Sequence, residues 1–179
     1  PERMNTISRE MLDDLTRRLL QANEDKGVRC VILTGTGRAF CAGLDLREAK
    51  PGGTSGIAND NSTRTTLDLR NTPPTVLHAM DKPTVCAING GAAGYGMDTA
   101  LGCDIRIMGQ SAKLAAAFVK RGVVPESGGT WFLPRMIGWA KAAELIFTGR
   151  TLSAQESLEW GLANLVVPKE SVFHLSDYS

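Results

Sequence analysis

Glu126 stands in the run Val123-Val-Pro-Glu-Ser-Gly-Gly-Thr130, held between a proline and a Gly-Gly pair. Two glycine-rich turns lie upstream of it, Phe40-Cys-Ala-Gly-Leu-Asp45 and Asn89-Gly-Gly-Ala-Ala-Gly-Tyr-Gly96. A carboxylate can take up and return a proton, and turns of this kind can present main-chain N–H groups to a developing negative charge. One base and two amides are the smallest set that makes an enolate and then protects it. Glycine is also what a strand-to-helix turn needs for its backbone geometry alone, so the turns by themselves leave both readings open.

Other chemistries find less support. Gly35-Thr-Gly37 follows an apolar run, but the third glycine of a dinucleotide fingerprint would fall at Phe40. Neither a phosphate-binding G-x-x-x-x-G-K-[ST] nor a G-x-S-x-G nucleophile turn occurs. His78 and His174 are far apart and next to no cysteine, so no metal site is expected. The chain has 179 residues, 42% of them hydrophobic, enough for one well-buried domain. Its 20 basic and 19 acidic residues nearly cancel, which argues against a nucleic-acid or membrane-surface partner held by bulk charge. No run of 18 apolar residues occurs to span a bilayer. Cys30, Cys41, Cys86 and Cys103 sit singly in apolar contexts, which predicts reduced, buried thiols and a cytoplasmic location.

The elements that would position these groups alternate. Met11, Leu12, Leu15, Leu19 and Leu20 recur at helical spacing after Ser8, a predicted N-cap, and Gly27 closes that helix. Val28 to Thr34 reads as a buried strand, and Ala49 to Ser62 as a surface loop. A helix is predicted to run to about Met80, broken or started by Pro73-Pro74. Thr84 to Ile88 reads as a second buried strand, Tyr95 to Leu101 as a short helix and Asp104 to Met108 as a third strand. Ser153 and Glu156 form a capping box for a helix that closes at Gly161, and Leu165 to Pro168 is a last strand. This order predicts an α/β fold with helices packed on a largely parallel sheet.

Arg38-Ala-Phe-Cys-Ala-Gly-Leu-Asp-Leu46, Ile88-Asn-Gly-Gly-Ala-Ala-Gly-Tyr-Gly-Met-Asp98 with Cys103-Asp-Ile-Arg106, and Gly149 to Leu162 with Val166-Val-Pro168 carry a resemblance. In order and spacing they resemble the enoyl-CoA hydratase/isomerase (crotonase) superfamily, from Pro1 to about Glu170. The resemblance implies the crotonase spiral of ββα units and a core domain over residues 1–170, with an atypical tail at 171–179. It also implies that the family's N-terminal hairpin and C-terminal helical region lie outside this chain. It maps the two oxyanion donors to the backbone N–H groups of Leu44 and Tyr95, where family members usually carry glycine in place of the tyrosine. It assigns substrate contacts to Ala42, Gly43, Asp45, Gly94 and Phe118. Coenzyme A would be part of the substrate, with no separate cofactor, and the full-length protein would be a homotrimer or hexamer.

Hydratases of the superfamily use two glutamates, whose positions map to Asp98 and Phe118. A phenylalanine transfers no proton, so a two-glutamate hydratase is disfavoured. Glu126 falls where isomerase members carry a single acid/base, and one carboxylate is enough for a 1,3-proton shift. Asp98 is then either a second proton carrier or an acid placed in the first turn of a helix. The resemblance therefore implies an enoyl-CoA isomerase. A hydratase, an acyl-CoA hydrolase or a non-catalytic homologue are the alternatives.

Overall fold

A computed structural model describes residues 1–45, 71–125 and 127–173. The predicted loop from Ala49 to Ser62, the tail beyond Phe173 and Glu126 itself fall outside the described residues. Helix α1 (Arg9–Glu24) is capped by Ser8, whose hydroxyl accepts from the Met11 N–H. Two strands follow, β1 (Val31–Thr34) and β2 (Ala39–Cys41). Helix α2 (Pro73–Ala79) starts on its two prolines, which lack an N–H where a helix cannot bond it anyway. Then come β3 (Thr84–Ile88), β4 (Gly91–Ala93), α3 (Tyr95–Leu101), β5 (Ile105–Gly109) and β6 (Lys113–Ala115). A 3₁₀ turn at Val119–Arg121 leads to α4 (Gly129–Thr148), which bends at Gly138. Strand β7 (Thr151–Ser153), α5 (Ala154–Glu159) with the expected Ser153–Glu156 capping box, and β8 (Leu165–Val167) complete the series.

The strands divide between two sheets where the sequence predicts one. The first has the order β1-β3-β5-β8 and the second β2-β4-β6-β7. All pairs are parallel except β6 with β7. Successive strands alternate between the sheets up to β6, so each pass of the chain adds one strand to each and the backbone advances as a spiral. The predicted α/β class and mainly parallel pairing therefore hold.

Burial corrects one expectation. Strand β1 is an edge strand of four residues, and Ile32 is 56% exposed, so the predicted buried strand from Val28 is shorter and only half covered. In α1, Leu12 and Leu19 are buried while Met11 and Leu20 stay outside. Val172 is fully buried and packs on Gly109 of β5. Among the described residues no helix is long and apolar enough to cross a membrane.

The cysteines correct another. Cys41, Cys86 and Cys103 are buried as predicted, but Cys30, just ahead of the edge strand, is exposed. Burial pushes the Cys41 thiol up to about 11. Burial and then the neighbouring Cys103 push Cys86 well above its ordinary range. Thiolate is the reactive form. An aromatic disulfide reagent should therefore modify Cys30 in the native protein, and Cys41, Cys86 and Cys103 only after unfolding. Peptide mapping of the labelled sites would check this.

Candidate functional site

The first donor segment leaves β2 and runs beside the N-terminal residues. Ala42 N–H donates to Met4 O at 3.0 Å, Ile7 N–H to Gly43 O at 2.8 Å and Asp45 N–H to Ile7 O at 3.0 Å. These bonds use the groups of residues 42, 43 and 45, so the N–H of Leu44 is not spent on them. Gly43 has φ +96°, a left-handed conformation that lets the chain turn between Cys41 and Leu44.

The second segment leaves β4, the neighbour of β2. Gly94 N–H donates to Ala115 O at 2.9 Å, and Tyr95 is the first residue of α3, so its N–H belongs to the helix's amino end. The two segments abut. A methyl group built on Gly43 would lie 2.9 Å from Ala93 O and 3.8 Å from Tyr95 N. Gly96 packs against Cys41 so closely that a methyl there would fall 2.3 Å from Cys41 O.

A cavity of about 160 Å³ opens between them. Ala42, Gly43 and Leu44 form one side, and Ala93, Gly94 and Tyr95 the next. The third side is the stretch that leads from β6 to α4, through Ala117, Phe118, Arg121, Val123, Val124 and Ser127. Its surface is mostly apolar, and no carboxylate lines it among the described residues. Residues on both sides of Glu126 in the sequence, Val124 and Ser127, are part of the lining.

Asp98 lies beneath this surface. It is fully buried in α3, and its Oδ2 accepts a 2.5 Å hydrogen bond from the Ser127 hydroxyl. Burial pushes its carboxyl up to about 6, against the smaller opposing effects of the Ser127 hydroxyl and the Gly129 main-chain N–H. Gly129 approaches the carboxyl so closely that a methyl there would fall 2.4 Å from Asp98 Oδ1.

Comparison with known proteins gives the family. A family profile described as enoyl-CoA hydratase/isomerase matches residues 1–176. The chain belongs to the enoyl-CoA hydratase/isomerase family. It is 44% identical over 174 residues to a 1,2-epoxyphenylacetyl-CoA isomerase of Escherichia coli, covering 96% of this chain and 65% of that protein. It thus spans just under two thirds of that relative's length. An enoyl-CoA hydratase from Bacillus anthracis has a similar crystal structure, at TM-score 0.84 and 38% identity over 99% of this chain and 67% of the other. A monofunctional enoyl-CoA isomerase from M. smegmatis superimposes at TM-score 0.78 and 32% identity, covering 99% of this chain and 73% of its own. The fold is that of the crotonases.

Of the residues that the family resemblance singles out, Ala42, Gly43, Leu44, Gly94, Tyr95 and Phe118 meet at the cavity. Two others stand off it. Asp98 reaches it only through Ser127, and Asp45 is paired with Arg3 at 2.9 Å. Trp131 lies outside the lining and stacks edge-on with His78 and Phe132. Sequence reasoning missed Arg121 and Ser127. Ser127 had a signal, since it follows Glu126 in a turn already singled out. Among the described residues no group of three or more His, Cys, Asp or Glu could hold a metal ion.

Proposed function

We propose that this chain carries the active site of an enoyl-CoA isomerase, which moves a double bond by a 1,3-proton shift through a thioester enolate. The observation that carries the proposal is the composition of the cavity lining. The position of the second hydratase glutamate is Phe118, 7% exposed and part of that lining, and Asp98 is buried beneath Ser127. Hydration asks one group to activate water and another to handle the α-proton, whereas the shift asks for one carboxylate at the reacting carbons. Glu126 is the acid whose sequence neighbours line the cavity.

The thioester oxygen of the acyl-CoA sits between the N–H groups of Leu44 and Tyr95. Glu126 removes the α-proton of a 3-enoyl-CoA, the two amides hold the dienolate, and a proton returns at the γ-carbon. Removing one such donor typically costs on the order of 3 kcal/mol of transition-state stabilisation, so the amides matter as much as the base.

The test is to incubate the purified chain with a 3-enoyl-CoA in deuterated water and follow ultraviolet absorbance and product mass. Conjugation should appear without addition of a water molecule or release of free coenzyme A. Either of the latter, or no change, overturns the proposal.

A further inference from the structure

The single-base shift leaves Asp98 without a role, yet its position is unusual for a spare acid. It is completely buried, and its Oδ2 is 2.5 Å from Ser127 Oγ. Ser127 is 5% exposed and is one of the residues that line the cavity. Burying an acid costs free energy unless its charge is paired, and no charged side chain among the described residues acts on Asp98. The groups that do are the Ser127 hydroxyl and the Gly129 N–H, both at the start of α4. One serine therefore stands between the cavity where the acyl group would react and a carboxyl that burial pushes up to about 6. A serine hydroxyl both donates and accepts, so it can hand on a proton with no net change of its own.

We infer that Ser127 and Asp98 form a proton relay that delivers the proton to the γ-carbon of the dienolate. The inference rests on the reading of Glu126 as the base at the α-carbon and supplies the second half of the shift. In the loaded relay the Asp98 Oδ2–H donates to Ser127 Oγ, and the Ser127 O–H faces the cavity. The electron pair of the dienolate forms a C–H bond at the γ-carbon with the Ser127 proton. The Asp98 O–H bond breaks as its proton moves onto Ser127 Oγ. Asp98 is left as a carboxylate that accepts from Ser127, the arrangement of the structure. Solvent then takes the α-proton from Glu126 and returns a proton to Asp98, and no oxidant or reductant is needed.

The experiment separates the two halves of the shift. A 3-enoyl-CoA is incubated in deuterated water with the wild-type chain, Ser127→Ala, Ser127→Thr, Asp98→Asn and Glu126→Gln. α-Deuteration of recovered substrate and formation of γ-deuterated product are followed separately by mass spectrometry. Ser127→Ala and Asp98→Asn should keep α-exchange to within about threefold and lose γ-delivery by roughly 10²-fold, and Ser127→Thr should restore it. The relay needs protonated Asp98, so wild-type γ-delivery should fall as pH rises through about 6, and the residual rate in Ser127→Ala should lack that step. γ-Deuterated product at the wild-type rate in Ser127→Ala overturns the relay, and so does parallel loss of both exchanges in that variant. If Glu126→Gln keeps α-exchange, the assignment of the base fails instead, whatever the other variants show.

Discussion

Glu126→Gln should lower the rate of double-bond migration by roughly 10²- to 10⁴-fold, the range that a positioned general base contributes. Glutamine keeps the size and most of the shape of the side chain and removes only its basicity. Acyl-CoA binding should stay within about threefold of wild type, because the change leaves in place the main-chain amides and apolar walls proposed to hold the thioester. The lining on either side of position 126 is Val124 and Ser127. A steady-state assay at saturating 3-enoyl-CoA, with binding measured calorimetrically on an unreactive saturated acyl-CoA, separates the two effects. Wild-type turnover in the variant would remove Glu126 from the mechanism. A large loss of binding would make it a structural residue of the turn.

Much of this site was legible in the sequence because its signals are local. A serine at an N-cap, a capping box three residues apart and two prolines opening a helix depend only on neighbours along the chain, and Ser8, Ser153 with Glu156, and Pro73 all behave as expected. The glycine turns were legible for a similar reason, since Gly43 and Gly94 hold backbone angles that few other residues adopt. What was not legible depends on what lies across the fold. Strand β1 reads as buried until the sheet order makes it an edge. Asp98 reads as a first-turn acid, which is ordinarily wet, yet every residue of α3 is buried, the helix lying against β2, β4 and α4. That burial comes from packing between elements far apart in sequence, and no spacing rule contains it. Ser127 takes its place at the cavity from the same packing, because its partner lies 29 residues away.

Gly96→Ala should damage both stability and turnover, although it adds one methyl group at a position outside the cavity lining. The new carbon would lie 2.3 Å from Cys41 O, 2.7 Å from Cys41 Cβ and 2.8 Å from Cys41 Sγ. A flexible side chain could swing aside, but a backbone oxygen in a buried strand cannot, so α3 and β2 must move apart. Overpacking of this kind typically costs about 1–3 kcal/mol, equivalent to a fall in Tm of roughly 2–10 °C for a domain of this size. The catalytic loss should be larger than stability alone explains. Cys41 is three residues before Leu44, and Gly96 follows Tyr95 directly, so separating them also separates the two amides proposed to meet at one oxygen. A donor displaced from the oxyanion costs on the order of 10²- to 10³-fold in kcat, and that is the expected loss in protein assayed well below its Tm. Gly91→Ala is the control within the same glycine-rich run, since a methyl there meets nothing within 4 Å and the position is exposed. It should retain wild-type Tm and turnover. Equal behaviour of the two variants would mean that the contact between α3 and β2 does not set the distance between the amides, and that glycine at position 96 serves the turn alone.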